Sequence, residues 1–277
     1  QEGIIVAGIL SKIKKVPCIF YSLEIVAKED IAKRKPVGRL LLMTKKFMES
    51  YFSREANITV VQDKYRASIL TRDNAIDRKK IFIVPNSYYF TSRRDISYDV
   101  DYLQIPANKK IIIYTGSVIP EMAIKDIIKS IDLWPKETLF MLHTPYRTIY
   151  LERIKQFIKE NNLEHKVLVS IKRLSFEELC SLINKAHIGI ALYKPVNKNY
   201  YLTPSGKVSF YLAQGIPIIV NDVPLLKEFV SKYKCGMYIE KAKEIGNAVK
   251  VILKDYPSFS VNAKICYQQE LKFSRYL

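Results

Sequence analysis

The chain has 277 residues, 48% of them apolar and 26% charged, and 45 Lys and Arg residues against 27 Asp and Glu give a net charge of +18. This length suits two domains of ordinary size, and the composition excludes a mainly disordered chain. The charge favours a polyanionic partner, namely nucleotide phosphates, an anionic membrane surface or nucleic acid, although solvated faces of a lysine-rich protein would also account for it. No helix-turn-helix, zinc-finger or RNP pattern supports nucleic acid.

Membrane and redox signals are weak throughout the sequence. The longest apolar runs, such as residues 3–10 and 188–193, are far shorter than the roughly 20 residues that cross a bilayer. No signal-peptide pattern is present. The four cysteines are widely spaced, so they predict neither a metal site nor a disulfide framework. We therefore expect a cytoplasmic protein with reduced cysteines, and the basic charge is compatible with a peripheral position on the inner membrane face.

Short apolar runs alternate with longer amphipathic runs along the whole chain. Strands are predicted at residues 17–21, 58–62, 81–84, 110–115, 139–143, 167–170, 188–192, 216–220 and 236–239. Helices are predicted at residues 3–15, 38–54, 63–71, 122–133, 148–162, 176–186, 206–214, 225–231, 241–254 and 261–275. This alternation predicts an α/β fold with parallel sheets covered by helices. It breaks once, between residues 86 and 108, where a polar stretch reads as a linker between a three-strand unit and a six-strand unit.

The segment 188–220 carries the clearest signal of a binding site. A buried strand leads into a polar loop, and Ser205 then occupies the N-cap position of a helix that begins with Gly206 and Lys207. Free backbone N–H groups and the helix dipole favour an anion at such an end. A lysine in the first turn is unfavourable there unless a negative group lies beside it, so we predict a phosphate site. The alternative is a surface lysine on an ordinary capped helix.

A second loop is predicted on the same rim of the sheet. The strand 110–115 ends in Gly116 and Ser117. Ligands of open parallel sheets bind beyond the carboxyl ends of the strands, and a glycine there lets a phosphate approach the backbone. Gly116 and Ser117, together with residues 205–207, therefore predict a cradle for a diphosphate.

The sequence around these loops resembles a known enzyme family. Residues 114–117 (YTGS), 186–191 (AHIGIA) and 204–219 (PSGKVSFYLAQGIPII) look like the C-terminal half of a GT-B glycosyltransferase, most similar to the retaining family 4 type. Residues 61–66 (VQDKYR) and 84–87 (VPNS) resemble the end of the N-terminal domain of such enzymes. The resemblance implies two Rossmann-like domains, the first at residues 1–100 and lacking its own beginning, and the second, the donor domain, at 101–257. A helix at 258–277 would then cross back to the N-terminal domain.

This chain departs from the family pattern at several positions. Leu202 and Phe210 stand where two glutamates are usual, and Ser117 and Met122 stand where an arginine and a lysine are usual. Two cations commonly placed on the diphosphate are therefore absent. Lys207 remains, and Lys125 is a second candidate.

The resemblance implies sugar transfer from a nucleotide-sugar donor with retention of configuration. Lys207 and Glu24 are the candidate catalytic residues, and Gly116, Ser117, Ser205, Gly206 and Lys207 the candidate diphosphate site. The candidate pocket for the base and sugar consists of His143, Arg173, Tyr193, Pro204 and Phe210. Three of them have a structural alternative: a helix-start carboxylate for Glu24, a surface arginine for Arg173 and a rim aromatic for Tyr193. No metal and no cofactor are expected, because no Asp/His cluster has ligand spacing.

The sequence therefore predicts a glycosyltransferase of surface polysaccharide synthesis, acting on a glycan or lipid-linked acceptor. Two alternatives stay open. One is a non-catalytic module that binds a nucleotide-sugar or a polyanion, which the apolar Phe210 and the Ser117 substitution favour. The other is a different GT-B enzyme such as a sugar-nucleotide epimerase, which would need more carboxylate and histidine side chains than this sequence offers.

Overall fold

The computed structural model describes residues 2–88, 106 and 108–276. These residues form two compact units. Unit 1 holds the chain up to Asn86, the segment 195–204 and Tyr276, and unit 2 holds the chain from Ser87 to Lys194 and from Ser205 to Arg275, as far as it is described. The boundary predicted at residues 100 and 101 lies outside the described residues.

The secondary structure alternates as the sequence pattern predicts. The strands are β1 (Ile19–Tyr21), β2 (Ile58–Val61), β3 (Ile81–Ile83), β4 (Lys110–Thr115), β5 (Thr138–His143), β6 (Val167–Ser170), β7 (Ile188–Ala191), β8 (Ile218–Val220) and β9 (Gly236–Tyr238). The helices are α1 (Glu2–Lys14), α2 (Lys28–Ala32), α3 (Pro36–Glu55), α4 (Lys64–Asn74), α5 (Ile124–Lys129), α6 (Ile149–Glu160), α7 (Phe176–Asn184), α8 (Lys198–Tyr201), α9 (Gly206–Ala213), α10 (Pro224–Tyr233), α11 (Ile245–Lys254) and α12 (Tyr256–Cys266).

Unit 1 is built on a parallel three-stranded sheet in the order β1-β2-β3. Apolar side chains of β2, β3 and α4 form its small core, for example Val61, Leu70 and Ile81. The helix α4 begins where the Asp63 carboxylate accepts the backbone N–H groups of Tyr65 and Arg66. Such a cap pairs donors that have no partner within the helix.

The segment 195–204 is attached to unit 1 by the buried Arg66 and by further hydrogen bonds, such as that from the Lys198 backbone N–H to Asp30 Oδ2 at 2.8 Å. The Arg66 guanidinium donates to the carbonyl of Leu23 at 2.8 Å, the side chain of Asn199 at 2.8 Å and the carbonyl of Leu202 at 3.3 Å. Leu202 also packs with Ile25 in a small apolar cluster. These contacts give the segment, which carries α8, a defined position in unit 1.

Unit 2 contains a parallel six-stranded sheet in the order β6-β5-β4-β7-β8-β9. The chain enters at β4 in the middle, builds outward to β6, and then returns to β7 on the other side of β4. This is the doubly wound order of a Rossmann-like domain, and the direction of winding reverses between β4 and β7. Ligands of such sheets bind beyond the strand ends at that reversal.

A glycine and a tyrosine set the position of α9 against this sheet. Gly189 of β7 lies under the Tyr211 ring, where an added Cβ would come within 2.2 Å of Cδ2. The close approach lets the Tyr211 hydroxyl accept the Thr115 backbone N–H at 2.9 Å. Lys207 lies one helical turn before Tyr211, so its side chain is carried to the end of β4.

The predicted strands are confirmed, each within two residues at either end. Two short helices are missed, α2 and α8, which carry too few residues to show a period. The last helix begins earlier than predicted, at Tyr256, with Pro257 in its first turn, and passes into a π-turn at Tyr267–Leu271. None of the helices within residues 2–88 and 108–276 is long and apolar enough to span a membrane.

Candidate functional site

Three chain segments meet at the reversal point of the unit 2 sheet. The end of β4 continues into Gly116, the end of β7 continues into Tyr193, and α9 begins at Ser205 and Gly206. The predicted diphosphate residues therefore lie in one unit and on one edge of one sheet. This is the edge at which the topology places a ligand.

Gly116 and Lys207 approach each other closely. Gly116 has φ = 127°, a conformation that favours glycine. A Cβ added there would lie 3.4 Å from Cε and 3.6 Å from Nζ of Lys207. The lysine side chain thus passes over the bare backbone of the β4 loop, and a side chain at position 116 would take up space beside the ammonium group.

The Lys207 ammonium lies among aromatic rings. Its Nζ is 4.1 Å from the centroid of the Tyr114 ring and 5.1 Å from that of the Tyr193 ring. The faces of these rings attract the ammonium group, but they compensate for its lost hydration less well than an anionic partner would. Burial accordingly lowers the pKa of Lys207 to about 7. A group in this state gains strongly from a negative ligand, because the ligand restores its charged form.

Ser205 and Tyr193 form a buried hydrogen bond beside this lysine. The Tyr193 hydroxyl donates to Ser205 Oγ at 2.6 Å, and Ser205 Oγ also caps α9 by accepting the Val208 N–H at 3.4 Å. Burial raises the pKa of Tyr193 to about 12, so the phenol stays protonated. The Asn221 side chain pairs with both the N–H and the carbonyl of Tyr193 and thereby fixes its backbone.

The Tyr193→Phe variant is expected to lose about 1 kcal/mol of unfolding free energy, because the Ser205 hydroxyl loses one buried partner. The ring that faces Lys207 would remain in place. Urea unfolding checks the stability, and calorimetry with UDP checks that affinity changes by less than about tenfold. A hundredfold loss of affinity would show instead that the phenol itself contacts the ligand.

The other predicted pocket residues are dispersed. His143 is buried at the end of β5, its Nδ1 lies 3.1 Å from Ser170 Oγ, and burial lowers its pKa to about 4. Phe210 is buried against the rings of Tyr88 and Phe176. Both side chains are core residues in this structure, and ligand contact by either stays a prediction.

Four more predicted residues lie at or near the protein surface. Arg173 is exposed in the turn after β6, and Ser117 is exposed after Gly116, with its carbonyl accepting the Tyr114 hydroxyl at 2.7 Å. Glu24 is exposed and belongs to unit 1, as does the half-buried Pro204. Their roles also stay predictions.

The side chains that depart from the family pattern pack against neighbouring residues of this chain. Leu202 and Phe210 are both buried among apolar side chains, where an ionised glutamate would be costly. The Nζ of Lys125 lies 4.8 Å from the centroid of the Phe157 ring, so this second candidate cation packs on α6. Within the described chain, no cluster of His, Cys, Asp or Glu is arranged to hold a metal ion.

Sequence reasoning assigned no role to several residues that build the site. Tyr114 supplies the ring nearest to Lys207, and Gly189 and Tyr211 bring α9 down to β4. All three stand inside the segments that carry the family resemblance. The sequence signal for this packing is Gly189, a glycine within a buried strand, because such a glycine typically marks the close approach of another element.

Comparison with known families finds one match, in the second half of the chain. Residues 160–271 match the family "Glucosyltransferase 3-like, C-terminal domain". This range includes β7, α9 and therefore Lys207. No curated protein sequence matches the chain.

Solved structures share the fold over nearly the whole chain. The Anabaena protein Alr3699/HepE in complex with UDP has a TM-score of 0.77 at 14% identity, covering 99% of this chain and 73% of its own. Sucrose-phosphate synthase from Thermosynechococcus elongatus has a TM-score of 0.67 at 18% identity, covering 98% and 69%. A glycosyltransferase from Rickettsia africae has a TM-score of 0.67 at 13% identity, covering 99% and 77%.

The fold of this chain is that of the GT-B glycosyltransferases, as its parallel sheets and these structures agree. The more particular likeness is to the glucosyltransferase family matched by residues 160–271. Together the two findings support a glycosyltransferase.

Proposed function

We propose that this protein transfers a sugar from a UDP-sugar to an acceptor hydroxyl, with retention at the sugar carbon, as in the family 4 type. The observation that carries the proposal is Lys207, a cation with a lowered pKa at the start of α9 and beside the bare backbone of Gly116. The HepE protein of the same fold is described in complex with UDP and with UDP-glucose. The diphosphate of such a donor would provide a negatively charged partner for the Lys207 ammonium group, whose contacts described above are with aromatic rings.

The work of the protein in this reaction is stabilisation of the leaving group. The bond between the sugar carbon and the diphosphate oxygen breaks, the acceptor oxygen bonds to that carbon, and the acceptor proton passes to the departing diphosphate. Negative charge then grows on the departing diphosphate. Lys207, the Ser205 hydroxyl and the first N–H groups of α9 form the donor set that would hold it.

We propose a glycan or a lipid-linked acceptor in surface polysaccharide synthesis, with the protein acting in the cytoplasm near the membrane. The net charge of +18 supports an anionic surface as a partner. Glu24 of unit 1 stays a candidate for contact with donor sugar or acceptor. Transfer would need neither a metal nor a cofactor, since the cation of the site is Lys207.

The pH dependence of donor binding tests the phosphate site. Above pH 7 most of Lys207 is neutral in the free protein, roughly nine in ten molecules at pH 8, and binding of a diphosphate must then take up a proton. UDP-glucose suits the measurement because its diphosphate does not titrate near neutrality. We expect its Kd to be constant below the Lys207 pKa and to rise by up to about tenfold per pH unit above it.

Titration calorimetry in two buffers of different ionisation enthalpy measures this uptake directly. The Lys207→Arg variant keeps the charge and is expected to bind without the pH dependence. Binding of UDP-glucose with no proton uptake between pH 7 and pH 9 would contradict the assigned role of Lys207.

The second candidate function is a non-catalytic module that binds nucleotide-sugars. The buried apolar side chains of Leu202 and Phe210, at positions where the resembled family has glutamates, favour it. A labelled UDP-sugar incubated with cell-derived glycans separates the two functions. Transfer of label to the glycan supports an enzymatic function. Binding of the nucleotide without release of the sugar, whichever acceptor is added, supports a non-catalytic binding module.

A further inference from the structure

The outward face of α3 in unit 1 is apolar. Its buried side is polar and consists of Lys46, Glu49 and Ser53. On the opposite side, Val37 is 88% exposed and Phe47 71% exposed, and Leu40, Leu41 and Met43 are also exposed. A surface helix ordinarily has the reverse pattern, with its apolar stripe on the core. An exposed apolar patch of this kind is typical of an interaction surface.

This apolar face lies in a strongly basic stretch. Residues 33–47 contain six Lys and Arg residues and no Asp or Glu. Lys46 pairs with Glu49 inside the unit, at 2.7 Å, and Lys45 pairs with Glu2 at 2.6 Å. Among the residues that the structure describes, no carboxylate pairs with the other four cations, which are Lys33, Arg34, Lys35 and Arg39.

A cavity of about 510 Å³ opens beside this face, between α2, α3 and α4. Its lining combines the exposed cations Lys28, Arg39 and Arg54 with the apolar Met43 and Phe47, and the carboxylate in the lining, Asp73, is paired with Arg72 at 2.7 Å. Two buried polar atoms in its wall, the Oγ of Ser50 and the Oδ1 of Asn74, have no hydrogen-bond partner within the described chain. The cavity therefore suits a ligand group that is both anionic and able to donate hydrogen bonds.

We propose that α3 is a membrane-docking helix that binds the surface of an anionic bilayer. Its apolar face would lie at the boundary of headgroups and acyl chains, as in helices that rest in the membrane plane. The four unpaired cations would face the lipid phosphates, and the neighbouring cavity takes one phosphoglycerol headgroup. A second copy of this chain does not fit this face, because a symmetric contact would bring the two basic stretches together.

This inference rests on the membrane partner of the proposed function and names its docking surface, which consists of unit 1 residues only, whereas the nucleotide site consists of unit 2 residues. Its failure and the failure of the proposed sugar transfer are therefore distinguishable. A Lys207→Met variant, which removes the cation of the nucleotide site, is expected to bind vesicles as the unaltered protein does.

Vesicle sedimentation tests the docking surface. The full chain is mixed with vesicles of phosphatidylcholine alone or of phosphatidylcholine and phosphatidylglycerol in equal parts. We expect binding to the anionic vesicles only. The Lys33→Gln/Arg34→Gln/Lys35→Gln variant should lower the partition coefficient about one hundredfold. The Leu40→Glu/Phe47→Glu variant should abolish binding.

A matched control places a carboxylate on an exposed apolar side chain of unit 2. Ile149 is 80% exposed at the start of α6, so Ile149→Glu should fold and bind vesicles unchanged. Circular dichroism confirms folding of each variant. Equal binding to both kinds of vesicle, no binding to either, or binding that the α3 variants leave unchanged would overturn the proposal. A dimer in light scattering that Leu40→Glu/Phe47→Glu dissociates, without vesicle binding, would assign the face to a second copy instead.

Discussion

The Lys207→Met variant is expected to lose sugar transfer by about 100- to 1,000-fold in kcat. The substitution keeps an unbranched side chain beside the rings of Tyr114 and Tyr193 and removes only the charged end. A single donor to a developing negative charge contributes roughly this factor in a site that excludes water. Steady-state kinetics with UDP-glucose and the natural acceptor, or hydrolysis of the donor where no acceptor is known, provide the measurement.

The melting temperature shows whether Lys207→Met loses activity because a catalytic group is missing or because the protein unfolds. Burial lowers the pKa of Lys207, so the cation is held at a cost in the free protein. The melting temperature of Lys207→Met should therefore equal or exceed that of the parent, while the shift caused by UDP should disappear. Activity within tenfold of the parent would contradict the assignment of Lys207 to the leaving group.

The Arg66→Ala variant is expected to lose about 3 kcal/mol of unfolding free energy in unit 1. Arg66 is 1% exposed, and its removal takes a donor from three acceptors, namely the carbonyls of Leu23 and Leu202 and the side chain of Asn199, of which Asn199 keeps the Ile25 N–H. Buried polar groups left unpaired account for losses of this size. Because two of the three acceptors belong to the segment 195–204, that segment should also become sensitive to proteases.

Arg72 of the same helix is the matched control for this experiment. Its side chain is 56% exposed and contacts the buried carboxylate of Asp73 at 2.7 Å and Glu29 at 3.5 Å. The Asp73 carboxylate keeps the backbone N–H of Lys28 when Arg72 is removed, so we expect a loss of only about 1 kcal/mol. Hydrogen exchange of α4 and of the segment 195–204 should reveal the loss in Arg66→Ala and little change in Arg72→Ala. Equal effects of the two substitutions would show that the buried contacts of Arg66 contribute nothing particular.

The elements that sequence reasoning located best are those with a strong local pattern. β4 and β6 are found with the predicted bounds, because each is a short apolar run between turn residues. The helix α9 begins at Gly206 as predicted, since Ser205 caps it through the Val208 N–H. In contrast, the sequence predicts a polar loop where α8 lies, because four residues capped by Asn197 carry no apolar period.

The sequence predicts only the part of the candidate site that has a local pattern. Ser205, Gly206 and Lys207 are consecutive, and their types indicate a capped helix with a misplaced cation, which is a signal within a few residues. The burial of His143 and Phe210 is not such a signal. It depends on which helices cover the ends of β5 and α9, and the sequence around either residue looks the same for a core position as for a pocket.

The residue pattern was sufficient for the α/β alternation, the capped start of α9 and the excess of positive charge, because each arises from neighbours along the chain or from composition alone. Folding was required to place Gly116 against Lys207, to seat the segment 195–204 on Arg66 and to leave the apolar face of α3 exposed. The contact between Thr115 and Tyr211 joins residues 96 positions apart. Contacts of that length depend on strand order and close packing, which no local pattern of residues encodes.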